Sequence, residues 1–377
     1  MLSTQDMGAV KVTEDQLREM QVGDYILHAR GGKLEKVAVE KTRLPVDPEG
    51  HVQCQSLAQA PNGTICAAQR TIISQSTDGG RTWQHAHHKD PGRFSCWRIR
   101  FDAESTVLNC CHLAGEDLPA VLASGDGGET WEQIGRIDLP IKGTSMLSFG
   151  VIRLRDGALV APVKDRAAEV AERYEALISG TESIYFCRSS DGGRTWPEHH
   201  YMCDWSAETG LAELSSGRLV AVMRYQRPRL PEDTPELLER TGAAAMGCKF
   251  PYKHVFLTDS DDGGRTWTEP RQLTTVFGQC RGTGVGLSGE RLVVAHDHRY
   301  PRAMASARAM VSLDGGRTWE DEVYYLSHGM AAGYNETIRM DGDEMLTLTG
   351  SCYGDVEKSQ AVMGRSEFAI IRWKLVR

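Results

Sequence analysis

Groups able to bind an anion and to move protons recur at the ends of short apolar runs. Arg70 follows TICAAQ, Arg98 precedes IRF, His112 follows VLNCC and Asp165 follows VAPVK. Glu208 precedes TGLAEL, Arg224 follows VAVM, and Arg281 precedes GTGVG. Asp297 and His298 follow LVVAH, Arg302 comes shortly after, and Tyr334 precedes NETIR. Several guanidinium groups in one place suit a planar anion, above all a carboxylate, because the fork of N–H donors reaches both oxygens. A phenol, carboxylates and imidazoles beside them are groups that attack carbon or transfer protons. Any one arginine, taken alone, reads equally well as a rim residue paired to a neighbouring acid; the grouping is the signal.

The elements that would bring these residues together are announced by a repeat. STDGGRTW (76–83), SGDGGETW (124–131), SSDGGRTW (189–196), SDDGGRTW (260–267) and SLDGGRTW (312–319) are copies of one pattern. Such periodicity marks one supersecondary unit repeated around the molecule. Asp followed by Gly-Gly makes a tight turn, since the carboxylate accepts backbone N–H groups and glycine takes positive φ. The aspartates Asp78, Asp126, Asp191, Asp262 and Asp314 are therefore expected as turn caps, and Trp83, Trp131, Trp196, Trp267 and Trp319 as packing residues. Between boxes runs a second recurrent unit, two β-rich segments about a Gly-containing turn: SLAQAPNGTICAA (56–68), VIRLRDGALVAPV (151–163), LAELSSGRLVAVM (211–223), VGLSGERLVVAH (285–296) and TIRMDGDEMLTLT (337–349). With WRIRFDAESTVLNCC (97–111) these give six four-stranded blades, the last without a box. The fold class expected is all-β, a six-bladed β-propeller spanning 46–377. An extension over 1–45 carries a short helix capped at Thr13, and SEFAIIRWKLV near the carboxyl end pairs with KLEKVAVEK near the amino end to close the ring.

In such blades the boxes share one face, so starts of first strands and ends of second strands converge on the other. That mouth collects Gln53, Arg70, Arg98, His112, Lys164, Asp165, Arg166, Glu208, Arg224, Arg281, His296, Asp297, His298, Arg299, Arg302 and Tyr334. Two insertions fall on the same face: DRAAEVAERYEALISG (165–180), with helical periodicity, and RPRLPEDTPELLERTGAAAMGCKFPY (227–252), a Pro-rich loop leading to a short helix. Loops over the mouth favour a pocket for a chain end or small glycan over a groove for a long polymer.

Composition narrows the field. A net charge of −8 over 377 residues argues against a nucleic-acid partner. No stretch is apolar enough to cross a membrane as a helix. Ten cysteines without a CxxC pair lead to the expectation of reduced thiols and no metal. Together with the lack of an apolar leader run in the first forty residues, they lead to the expectation of a cytoplasmic protein.

The repeated pattern resembles the Asp-box, or bacterial neuraminidase repeat, of the sialidase superfamily, over about residues 50–375. ETGLAELSSGRLVAVMR (208–224) is similar to the sialidase stretch in which a glutamate leads into an inner hairpin ending in an arginine of the carboxylate-binding triad. GYNETIRMDGDEMLTLTG (333–350) resembles the segment with the nucleophilic tyrosine. The resemblance implies Tyr334 as nucleophile, Glu208 as its base and Arg224 as a carboxylate ligand, with no cofactor. The pairing makes chemical sense: a phenol of pKa ~10 attacks poorly at neutral pH unless a carboxylate takes its proton. A neutral nucleophile also avoids driving a carboxylate onto an anionic sugar.

The chain also departs from that pattern. Where sialidases place a first triad arginine, VQCQSLAQAPNG has Gln53. Arg70 resembles a second pocket arginine, but the loop that should carry the acid/base aspartate is absent, since TIISQSTDGG runs straight into the box. Asp165, His112, His298 or Asp297 would have to supply the proton. Arg98 would replace the lost arginine, Arg302 (less so Arg299 or Arg308) would complete the triad, and Trp97 or Trp205 would stack on a sugar. The reading that follows is a sialidase-like exo-glycosidase for a terminal acidic sugar. Its rivals are a propeller polysaccharide lyase for uronates, using His112, His298 or Tyr334, and a non-catalytic acidic-glycan-binding propeller.

Overall fold

The computed structural model describes residue 8 and residues 10–45, 56–96, 98–139, 144–147, 151–166, 183–330, 334–351 and 367–376. Within them six antiparallel sheets surround one axis, four built wholly from strands consecutive in sequence and two completed by strands from the amino-terminal segment. The innermost strands are Ser56–Gln59, Ile99–Phe101, Ile152–Arg153 with Thr144–Leu147, Ser206–Glu213, Gly282–Gly286 and Glu336–Arg339. Second and third strands such as Leu292–His298 and Ser306–Ser312 are buried along their whole length, whereas the outer strand Gln84–His87 is largely exposed. Both faces of a middle strand are covered by neighbouring blades, which is why these segments are buried without alternation.

The core is accordingly a ring of seams. Ile73 and Leu122 share the seam of blades one and two, Val121 and Leu159 that of two and three, and Phe186 and Leu219 that of three and four. Val222 and Leu292 join blades four and five, Val293 and Ile371 five and six, and Leu57 and Leu348 close six onto one. Truncation of a fully buried leucine here, such as Leu292, costs about 2–5 kcal/mol.

Each box sits between the third and fourth strand of its blade and caps a seam. In blade three Asp191 accepts from the Thr195 amide (2.9 Å) and hydroxyl (2.6 Å), Ser189 Oγ donates to Asp191 (2.8 Å), and the Trp196 indole donates to Gly193 O (3.1 Å). The second glycine leans on the previous blade. A Cβ on Gly264 would lie 2.4 Å from Phe186, and one on Gly128 2.2 Å from Ile73, while both residues have positive φ (94° and 102°). Only glycine meets both demands.

Ring closure differs in its partner from the sequence expectation. Glu367–Trp373 pairs with Glu40–Leu44 (Ile370 opposite Thr42), so the fourth strand of blade six comes from the amino-terminal segment. Lys33–Ala38 pairs instead with Tyr25–Arg30, which lies against Glu322–His328 and widens blade five to six strands. The cause is Gly31-Gly32, at φ 56° and 78°, a two-residue hairpin turn that commits Lys33–Ala38 to the strand just before it. Helix Glu14–Val22 begins with the anticipated capping box, Thr13 and Gln16 bonding each other's amides. The insertion 165–180 lies largely outside the described residues; the other forms helix Pro235–Arg240 and a 3-10 turn, Ala244–Met246. No described helix is long and apolar enough to cross a membrane, and the described cysteines are free.

Candidate active site

Blade four aims its glutamate by breaking its own ladder. Ser206 opposes Tyr225 and Thr209 opposes Met223, so Ala207 and Glu208 form a bulge in the first strand. Trp205, at φ 68°, turns the chain into it, and a Ser206–Thr209 hydroxyl contact of 2.8 Å fastens its base. Bulges re-aim side chains; here Glu208 Oε2 meets Arg224 Nη1 at 3.0 Å, and Arg224 also donates to Gln226 Oε1 (3.1 Å).

Blade five supplies two more guanidinium groups through one carboxylate. Asp297, with no exposed surface, accepts from the Cys280 and Arg281 amides (2.7 and 3.0 Å) and from Arg299 Nε. Arg281 then donates to the Asn335 carbonyl of blade six (2.5 Å). Between these two arginines lies Tyr334, its ring centre 5.2 Å from the Arg281 guanidinium and 5.3 Å from that of Arg299, both within cation–π range. Buried Arg224 Nε, Arg299 Nη2 and both amide atoms of Asn335 have no protein partner. Such atoms are costly in an interior unless something else bonds them.

The protonation states follow from this packing. Burial pushes the Glu208 carboxyl up, but Arg224, Arg281 and Arg299 outweigh it, so the group is held below the usual carboxylate range. Burial and then the Glu208 charge raise the Tyr334 phenol, against the pull of Arg299 and Arg224. At neutral pH the pair therefore rests as phenol and carboxylate, the state in which the second can take the proton of the first.

The other expected residues are distributed differently. Burial opposes ionisation of Asp297, but Arg299 and two backbone amides more than compensate, so it is a carboxylate anchor with no proton to give at neutral pH. His298 is buried against Gln279 (2.8 Å) and held neutral by burial, with Arg308 and His296 acting in the same direction. His112, Arg98 and Arg70 line a separate hollow between blades one and two. Arg302 is exposed on the 3-10 turn Arg302–Met304. Arg308 is interior, over the Tyr325 ring at 4.8 Å. Asp165 lies at the mouth end of the second strand of blade three, its backbone paired with Ser183 and Ser145. Gln53 and Trp97 lie outside the described residues.

Below the cluster a cavity of about 260 Å³ follows the axis, with Glu208 and Arg281 at its upper end. It also exposes Glu336, held by Arg100 Nη2 (2.5 Å) and the Leu57 amide (3.1 Å). Sequence reasoning passed over Glu336, Arg100 and Asn335. Their signal was an RIR and a NET tripeptide at the starts of two first strands, meaningful only once both strands are known to line the axis.

No protein-family model matches the chain, and no curated protein matches it by sequence. Solved structures do match in shape. A protein of unknown function from Dyadobacter fermentans superposes with TM-score 0.60 at 17% identity, covering 89% of this chain and 98% of that one. The likeness is one of fold. The GH93 α-L-arabinofuranosidase of Fusarium graminearum, solved with arabinobiose, gives 0.59 at 14% identity over 89% and 97%. The leech intramolecular trans-sialidase, solved with 2,7-anhydro-Neu5Ac, gives 0.56 at 11% identity over 85% and 68%. Arabinofuranosidase and sialidase are similar to this chain as six-bladed propellers, and it shares that architecture.

Proposed function

We propose that the chain is an exo-glycosidase that removes a terminal carboxylate-bearing sugar by way of a covalent tyrosine intermediate. The observation that carries this is a buried phenol flanked by Arg281 and Arg299 and electrostatically coupled to an ionised Glu208. Arg224, Arg281 and Arg299 would receive the substrate carboxylate, their three positive charges exceeding the two negative ones of Glu208 and Asp297. Tyr334 Oη would form a bond to the anomeric carbon as its proton passes to Glu208, while the bond to the leaving oxygen breaks and that oxygen takes a proton from solvent. Water would then attack the anomeric carbon and give up a proton to solvent, the bond to Tyr334 Oη would break, and Glu208 would return its proton to the phenolate. The likeness in fold to propeller glycosidases supports hydrolysis as the reaction class.

Incubation with a chromogenic glycoside of a 2-keto acid sugar is the test, with release of the free sugar expected. An unsaturated uronate absorbing in the ultraviolet would instead identify a lyase. A rise in melting temperature with an acidic glycan and no product would identify a binding protein.

A second reading is favoured by Glu336. With Glu208 it places two carboxylates on one axial cavity, the usual complement of glycoside hydrolysis without tyrosine. Cleavage of an arabinofuranoside that survives Tyr334→Phe would select this reading.

A further inference from the structure

On the outer wall, between blades three and four, lies a groove of about 440 Å³, a volume typical of ligand clefts. It opens where the edge of blade four is short. Pro270 brings no N–H to the ladder, and the fourth strand there is Arg271–Gln272, two residues, against the seven of Glu198–Asp204 in blade three. On that longer strand Tyr201 is 52% exposed, the one exposed Phe, Tyr or Trp side chain among the described residues. Half-buried Trp205, Tyr225 and Trp267 line the groove with it. The Trp267 indole N–H is already bonded to Gly264 O (3.0 Å), and Tyr225 lies face to face with Phe256 (4.1 Å between ring centres), so both contribute apolar ring surface.

Asp204 and Glu269 border the same groove, and among its described lining residues Arg265 is the one cation. Ser183 Oγ donates to Asp204 (2.6 Å), while burial and the Asp204 charge raise the Tyr201 phenol, which stays a neutral donor. Two carboxylates beside one guanidinium reverse the charge balance of the mouth and turn an anion away. Aromatic rings cover the C–H face of a sugar, and carboxylates accept its hydroxyl protons. We propose that the groove is a second glycan site, binding uncharged pyranose units. Blade four itself divides it from the mouth. Arg224 and Tyr225 are successive in one strand, so their side chains point to opposite faces of the sheet: Arg224 toward Cys280 and Arg299 of blade five, Tyr225 into the seam with blade three. No described residue lines both the groove and the axial cavity. Trp205 links the two regions, since its carbonyl accepts from the Gln226 amide (3.0 Å) and Gln226 Oε1 from Arg224 (3.1 Å). The inference holds whichever chemistry occurs at Tyr334.

Saturation-transfer NMR titrations on the full chain test it with lactose, maltose, cellobiose and mannobiose as neutral probes, and with glucuronic acid and tetramethylammonium chloride as charged ones. At least one neutral disaccharide is expected to bind, with affinity about fivefold or more weaker in Tyr201→Ala and unchanged in Tyr334→Phe. Tyr201 is exposed, so its truncation spares the fold. Silence from all four disaccharides overturns the proposal, as does binding that withstands Tyr201→Ala or is lost in Tyr334→Phe. Tetramethylammonium held as tightly, and through Tyr201, overturns it in favour of a cation cage. Glucuronic acid held as tightly through Tyr201 overturns it too, because the groove would then not select against negative charge. No turnover is read, so failure of the Tyr334 chemistry and failure of this site are scored apart.

Discussion

The two ends of the propeller use the same residue types to opposite purpose. At the box face Asp191 is bonded by Ser189, the Thr195 amide and the Thr195 hydroxyl, while Arg194 lies exposed and reaches back to the Asp191 carbonyl. At the mouth Asp297 is just as fully bonded, yet the Nη2 of buried Arg299 beside it and the Nε of buried Arg224 on the next blade have no protein partner. Polar groups that satisfy one another hold a turn. Polar groups brought together at a cost in desolvation and like charge, with bonds left over, are arranged for something that arrives from outside.

Four substitutions separate the two ends. The largest effect is expected for Tyr334→Phe, a loss of about 10³-fold or more in kcat with substrate affinity and melting temperature nearly unchanged. Steady-state kinetics and direct binding measure the split; retained turnover would remove the tyrosine from the mechanism. Glu208→Gln should lower kcat by about 10²–10⁴-fold. Because the wild-type carboxyl is held below its ordinary 4.5, activity should persist down to that pH and fall only below it, and the variant should lose this acid limb.

Stability rather than turnover reports on Asp297→Asn. Removing the partner of a buried arginine costs about 3–5 kcal/mol, read by denaturant unfolding. The Asp297 carboxyl is depressed in the folded state, so its contribution is complete above its ordinary 3.8 and vanishes as pH falls through the folded value. Wild type should therefore lose stability in acid more steeply than the variant. The smallest effect is expected at the box face, where Asp191→Ala costs about 1–2 kcal/mol with turnover unchanged. A large activity loss there would erase the contrast between the ends.

The scaffold was legible because its signals are local. Asp-Gly-Gly turns, Gly-centred hairpins and the Thr13 cap each act within a few residues, and the structure has all of them where the sequence placed them. Ring closure was misassigned by one segment because the Gly31-Gly32 turn was not weighed against the longer-range pairing. At the mouth, Tyr334, Glu208, Arg224 and Arg281 were reached through topology, and the structure brings them together. Arg299 was ranked below Arg302 because the sequence does not show that Asp297 is buried and draws Arg299 inward. Glu336 and Arg100 were missed for a related reason: their partnership spans 236 residues and exists only around a closed axis.

The strand that completes blade six also governs when the molecule can be finished. Glu40–Leu44 is synthesised more than three hundred residues before its partner Glu367–Trp373, so the nascent chain carries an unmatched edge over that whole interval. Five sheets can assemble as they emerge, but the torus stays open until Glu367–Trp373 arrives. Loss of either strand would leave the ring unfastened, so closure depends on two segments far apart in sequence.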